Sequence, residues 1–86
     1  MLYSKQVEKR IKKHKVSREI WEDFRDAFES LAATQNFRLF DIKKLIQKGP
    51  YVYYRLRIRG YRALFHQDRE YIFVEDIGPR GEIYRS

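Results

Sequence analysis

Apolar residues at helical spacing in the first third of the chain predict two helices. Tyr3, Val7 and Ile11 recur every four residues across segment 4–14, whose other positions are mostly charged or polar. This pattern is typical of a basic helix with a narrow apolar stripe that faces a core.

A second, more strongly apolar helix follows within two or three residues. Ser17 is a suitable N-cap, and Val16 and Trp21 stand at the positions of a hydrophobic staple. The apolar positions that follow are Ile20, Trp21, Phe24, Ala27, Phe28, Leu31 and Ala32. The helix is predicted to end near 34–36, so segment 4–35 forms an antiparallel helical hairpin. Trp21 is interpreted as a core anchor in preference to a base-stacking platform, because it belongs to this apolar face.

The second half of the chain changes to the two-residue alternation of strands. In segment 51–58 one face carries Val52, Tyr54, Leu56 and Ile58, and the other carries Tyr53, Arg55 and Arg57. Gly60 marks a tight connection to a strand at 61–66, a turn at 67–70 and a strand at 71–76. We expect 77–81 to be a loop and 82–85 a short strand or a tail. Segment 41–47 is left open between a turn of helix and a short edge strand.

Helices followed by strands predict an α+β fold in a single domain, 1–86. The helical hairpin at about 4–35 is expected to pack on one face of a small antiparallel sheet at about 51–85. Arg55 and Arg57 then project from the opposite face, which is left for function.

Charge restricts the class of partner. The net charge is +7 in 86 residues, which favours nucleic acid, an acidic protein segment or an anionic membrane surface. The chain has no cysteine, which excludes disulfides and thiolate metal sites and fits the cytoplasm. No apolar run approaches the roughly 20 residues of a membrane span, so no membrane partner is expected.

The chemistry-bearing residues are arginines, tyrosines and few others. Four arginines lie between positions 55 and 62, and no acid stands between Asp41 and Asp68 to offset them. There is no phosphate-binding glycine loop and no zinc spacing, and His14 and His66 are too isolated for a metal site. Four acids cluster near one end of the predicted third strand: Asp68, Glu70, Glu75 and Asp76. They are interpreted as solvated turn and edge charges in preference to a two-metal nuclease site. No metal and no cofactor are therefore expected.

Arginines and tyrosines suffice to bind RNA and to cleave it without a metal. The RNA 2′-hydroxyl attacks its own adjacent phosphate once it is deprotonated, and the transition state then requires cations and a proton for the leaving oxygen. The simpler alternative is a basic sheet that only docks an acidic peptide.

Three segments carry a resemblance to a known family. They are 41–45 (DIKKL), 54–65 (YRLRIRGYRALF) and 77–84 (IGPRGEIY). Together with the basic segment 2–13, they resemble the RelE/ParE toxin superfamily over nearly the whole chain. Its members are toxins of type II toxin–antitoxin pairs. The RelE branch cuts mRNA in the ribosomal decoding site, and the ParE branch inhibits DNA gyrase.

The resemblance implies both partners and site residues. The partners are a cognate antitoxin, the ribosome and mRNA, and the favoured activity is that of a metal-independent, ribosome-dependent mRNA endoribonuclease. The non-catalytic gyrase inhibitor is the alternative. The implied catalytic residues are Arg55, Arg62, Arg80 and Tyr84. Further expected RNA-binding residues are Arg57, Arg59, Lys43, Lys44 and His66.

Two positions depart from the family pattern. Pro79 stands where many RelE-like loops carry a lysine or histidine, and only residues 1–3 are available for the usual first strand. His66 can replace a missing acid or base, although a half-exposed strand residue beside a turn is the favoured interpretation.

Overall fold

The computed structural model describes residues 2–13, 15–68 and 71–79. Its elements in chain order are β1 Leu2–Tyr3, α1 Lys5–Lys12, α2 Arg18–Thr34, a short 3-10 helix Phe37–Leu39, β2 Ile42–Lys48, β3 Tyr51–Ile58, β4 Tyr61–Asp68 and β5 Tyr71–Pro79. This is the predicted α+β arrangement, with two helices packed on one face of a five-stranded sheet.

A serine caps the start of each helix. Ser17 is the cap that the sequence predicts for α2, and Ser4, the first residue of segment 4–14, is the cap of α1. The backbone N–H of Val7 donates to Ser4 Oγ at 3.2 Å, and that of Ile20 donates to Ser17 Oγ at 3.2 Å. Each bond satisfies a donor that has no partner inside the helix. Val16, immediately before the second cap, is buried and fixes the angle at which α2 enters the core.

The strands lie in the order β1-β5-β4-β3-β2. All neighbours are antiparallel except β1, which runs parallel to β5 through Leu2 opposite Phe73 and Tyr3 opposite Val74. The two-residue β1 is thus present as a short edge strand. Residues 42–48, left open by the sequence, are a strand because they pair with β3.

One sequence prediction about the last strand is wrong within the described residues. Residues 77–79 were expected to be a loop, but β5 continues to Pro79, which lies opposite Tyr61. A β-bulge in β5 lies between the pairs Leu64–Asp76 and Phe65–Val74 and shifts the register. Beyond the bulge β5 still pairs with β4, although the alternation of apolar and polar residues is interrupted there.

The core lies between α2, α1 and the helix-facing side of the sheet. From the helices it takes Val7, Val16, Ile20, Phe24, Ala27, Phe28 and Leu31, and from the sheet Leu56, Ala63, Phe65, Ile72, Val74 and Ile77. Phe24, Phe28, Leu31 and Leu56 were predicted as core. Trp21 only packs against the edge of this cluster, with its ring 4.7 Å from that of Tyr3, because β1 covers one side of it.

The C-cap of α2 offers a test of local strain. Gln35 has φ 56° and donates its backbone N–H to Leu31 O at 2.8 Å. A side chain is disfavoured in this left-handed conformation, and glycine is not. We expect Gln35→Gly to raise the free energy of unfolding by about 0.5–1 kcal/mol relative to Gln35→Ala. Both variants lose the same side-chain bonds, so urea unfolding of the pair isolates the backbone effect, and equal stabilities would contradict it.

Candidate nucleic-acid interface

The open face of the sheet carries the basic residues that the sequence assigned to function. Across β3 and β4, Arg57 lies directly opposite Arg62, and Arg55 opposite Leu64. Their side chains point away from the helices, because their neighbours Leu56 and Ala63 are in the core. The predicted placement of Arg55 and Arg57 on the face opposite the helices is therefore found.

Arg62 occupies the central strand of this basic end. It is flanked by Arg57 on one side and by Gly78 of β5 on the other. Gly78 contributes no side chain to this face, so the row Arg57–Arg62–Gly78 presents two guanidinium groups side by side. The row forms the basic end of the open face.

Asp41 offsets part of this charge, contrary to the expectation from the sequence. Its Oδ2 lies 2.7 Å from Arg57 Nε and its Oδ1 lies 3.5 Å from an Arg55 guanidinium nitrogen. Its carbonyl also accepts a hydrogen bond from the Arg57 backbone N–H at 3.1 Å. The strand register brings this acid beside both arginines, and register is not visible in linear spacing.

Arg55 is more deeply buried than Arg57. The side chain of Arg55 is 12% exposed, against 47% for Arg57. Its Nε is buried without a hydrogen-bond partner among the described residues. A fixed, largely desolvated guanidinium is suited to a positioning role.

Arg59 is engaged elsewhere. Together with Gly60 it forms the β3–β4 turn, with φ values of 52° and 79°. Its Nη1 lies 2.8 Å from Glu19 Oε1 and its Nε 3.5 Å from Asp23 Oδ2, both on α2. The hydrogen bond to Glu19, then the charges of Asp23 and Glu19, raise the pKa of Arg59. Arg59 thus links the β3–β4 turn to the first turns of α2 through two ion pairs.

The two predicted lysines diverge. Lys43 lies opposite Arg55 and so extends the basic end of the open face, whereas Lys44 lies opposite Tyr54 and projects from the side that the helices cover. Both side chains belong to exposed residues.

His66 is not the half-exposed residue beside a turn that the sequence favoured. It is 8% exposed and lies within β4 between Tyr53 of β3 and Phe73 of β5, because the strand continues two residues further than predicted. Its Nδ1 lies 3.0 Å from Glu75 Oε1, in a direction that does not form an aligned hydrogen bond. Four strand residues, about 13 Å, separate it from Arg62.

Two acids predicted as solvated are instead partly buried and partnered. Asp76 Oδ1 lies 2.7 Å from Arg10 Nε of α1, and Glu75 contacts His66. The described residues contain no group of three or more potential metal ligands. Arg80 and Tyr84, both implied catalytic residues, lie outside the described residues, as do 81 and 82–85.

Tyr53 lies at the other end of the open face from Arg62. Burial, then the negative charge of Glu75 and the proximity of Tyr51, raise the pKa of Tyr53. Among the described residues, no histidine or tyrosine is a cross-strand neighbour of Arg55, Arg57 or Arg62.

Known structures identify the fold. The chain is similar to RelE in the RelB–RelE antitoxin–toxin complex from Methanococcus jannaschii, with a TM-score of 0.74 and 27% identity over 98% of this chain and 95% of that one. The chain has the fold of archaeal RelE toxins over nearly its full length. The archaeal RelE–RelB complex from Pyrococcus horikoshii OT3 matches with a TM-score of 0.73 and 25% identity, over 93% of this chain and 92% of that one.

These structural matches support a RelE-like toxin of a type II toxin–antitoxin system. No protein-family model and no curated protein matches the sequence of this chain. None of the helices described is long and apolar enough to cross a membrane.

Proposed function

We propose that this RelE-like chain cleaves mRNA in the ribosomal decoding site and so inhibits translation. The row Arg57–Arg62–Gly78 on the open face, beside the desolvated Arg55, carries this proposal. It brings several guanidinium groups together on one face of the sheet, and such groups bind phosphate oxygens in pairs.

The reaction needs the RNA, the protein and solvent water. The 2′-oxygen gives its proton to a water molecule and bonds to the adjacent phosphorus, and the bond to the 5′-oxygen of the next nucleotide breaks as that oxygen takes up a proton from water. Arg62 and Arg80 stabilise the charge that develops on the phosphate, and Arg55 fixes its position. Tyr84 stacks on or aligns the nucleotide that attacks. Lys43, Arg57 and the remaining basic residues hold the RNA backbone.

Single-turnover cleavage of mRNA in a programmed ribosome tests the proposal. We expect defined new 5′ ends within the decoding-site codon, without added metal beyond what the ribosome requires. Wild-type protein that arrests growth yet leaves this mRNA intact would contradict it.

A second candidate function is binding without catalysis, as in ParE-like inhibition of DNA gyrase. The observation that favours it is that, among the described residues, no histidine or tyrosine is a cross-strand neighbour of Arg55, Arg57 or Arg62. A gyrase supercoiling assay distinguishes the two functions, since a nuclease of the decoding site leaves supercoiling unchanged.

We further propose that a cognate antitoxin neutralises the basic face with an acidic segment that folds on binding. The two similar archaeal RelE chains are seen in complexes with RelB. On this chain, the segment is expected to cover Arg55, Arg62 or Arg80, or to displace 82–86.

Affinity for that antitoxin should depend on salt. We expect the dissociation constant to rise about tenfold between about 0.05 M and 0.5 M NaCl, because salt screens exposed charges. Titration calorimetry with the product of the adjacent reading frame measures this. Affinity that is the same at both salt concentrations would exclude an electrostatic contribution.

A further inference from the structure

The open face has a second end whose chemistry is opposite to that of the arginines. There the cross-strand row Tyr53–His66–Phe73 continues to Leu2 on the edge strand β1. An open depression of about 460 Å³ lies over this row. We call it the aromatic pocket, lined by Leu2, Tyr51, Tyr53, His66, Asp68, Tyr71, Phe73 and Glu75.

The lining combines ring faces with carboxylates. The His66 ring lies 4.5 Å from that of Tyr51 and 5.2 Å from those of Tyr53 and Phe73. Asp68 and Glu75 supply two carboxylates, and none of the described residues that line the pocket is a lysine or an arginine. In a chain of net charge +7, this is a local reversal of charge.

The pocket is also accessible and apolar at its rim. Tyr71 is 60% exposed and Leu2 is 53% exposed, although both are large hydrophobic residues. The Glu75 side chain is 31% exposed, so a ligand can reach it beside His66. Exposed apolar residues gathered at one site mark a binding surface more often than the same residues scattered singly.

We propose that the aromatic pocket receives an arginine side chain of a protein partner. A guanidinium group stacks on aromatic faces and at the same time donates paired hydrogen bonds to a carboxylate, here Glu75. A lysine ammonium is more strongly hydrated and lacks the planar fork, so arginine fits the mixed lining better.

Charge argues against a nucleotide in the same place. Asp68 and Glu75 repel phosphate, and the nearest described arginine of the open face is Arg55, two residues or about 7 Å along β3 from Tyr53. Burial, then the negative charge of Glu75, raises the pKa of Tyr53, and the second of these causes is the response expected beside a carboxylate. Lys48 of β2 lies opposite Tyr51 of β3, so it borders this end of the open face, but it does not line the pocket.

NMR titration of the full chain with two matched peptides tests the proposal. The probes are acetyl-Gly-Arg-Gly-amide and the same peptide with citrulline, which keeps the shape of arginine but has no charge. We expect saturable shifts of the Tyr51, Tyr53 and His66 ring signals with the arginine peptide, and at least severalfold weaker binding of the citrulline peptide.

Substitutions localise the site. Glu75→Gln and Tyr51→Ala should each weaken the arginine peptide roughly three- to thirtyfold. Glu22→Gln, which removes an acid on α2, should leave it unchanged. Superimposable amide spectra outside the pocket establish that each variant is folded, and Tyr53→Phe supplies a conservative variant that keeps the ring and should keep binding.

Three results would overturn the proposal. They are equal binding of the arginine and citrulline peptides, shifts of the pocket signals by guanosine monophosphate in place of arginine, and a concentration-dependent dimer that Tyr51→Ala dissociates. The last two assign the pocket to RNA or to a second copy of the chain. None of these measurements involves the ribosome, so their outcome is independent of the proposed nuclease function.

Discussion

Phe28→Ala is expected to lower the free energy of unfolding by about 3–5 kcal/mol, most of what so small a domain has. Phe28 is fully buried at the centre of the core, with its ring 5.2 Å from that of Phe65 on β4 and 6.3 Å from that of Phe24 on α2. The substitution leaves a cavity between helix and sheet that the surrounding aromatic rings cannot fill without leaving their rotamers.

Chemical denaturation of the purified variant measures this loss. Leu39→Ala is the matched control, because Leu39 is 56% exposed on the short 3-10 helix and its truncation should change stability by less than about 0.5 kcal/mol. A Phe28→Ala protein that melts within a degree or two of wild type would show that the helix and the sheet do not pack through this ring.

Arg62→Ala is expected to slow mRNA cleavage on the ribosome by about two to three orders of magnitude. The guanidinium lies in the central strand between Arg57 and Gly78, where it can contact a phosphate whose charge grows in the transition state. Loss of one such preorganised donor typically has an effect of this size. Arg80→Ala should have a similar effect if the two residues act on the same phosphate.

Measuring ribosome binding by Arg62→Ala separates an effect on catalysis from an effect on affinity. The affinity for the ribosome should fall much less than the cleavage rate, because many other lysines and arginines share the contacts with RNA. Arg38→Ala removes the same charge from an exposed position on the short 3-10 helix and should leave cleavage unchanged. Parallel losses of binding and cleavage in Arg62→Ala would instead assign Arg62 to RNA binding alone.

Tyr84→Phe addresses the remaining implied catalytic residue in the same assay. Stacking survives this substitution and proton transfer does not, so an unchanged rate assigns Tyr84 to alignment of the nucleotide. This experiment is informative because, among the described residues, no tyrosine is a cross-strand neighbour of Arg55, Arg57 or Arg62.

Local pattern was sufficient for the two helices and for the alternation of β3, but it left residues 42–48 open and ended β5 too early. The caps Ser4 and Ser17 and the apolar stripe of α2 depend on neighbours within one or two helical turns. Strand alternation likewise placed Arg55 and Arg57 opposite the core face, because successive side chains of a strand must point to opposite sides. These features follow from backbone geometry, which the sequence expresses directly.

The partners of the charged residues required the tertiary structure. Asp41 beside Arg57, Asp76 beside Arg10 and Arg59 beside Glu19 each join residues that are 16 to 66 positions apart. Strand register and helix packing decide such pairs, and a shift of one residue in register moves every side chain of a strand to the other face. The bulge in β5 is one such shift, and it brings Glu75 beside His66.

The sequence by itself therefore determined the α+β class, the helical hairpin and a basic face on the sheet, because periodicity and charge are local properties of the chain. Only the tertiary structure decided which arginines are engaged by acids, that His66 is buried, and that Leu2, Tyr53 and Phe73 form one pocket. Those outcomes depend on which strands become neighbours, and the packing of the whole domain sets that order.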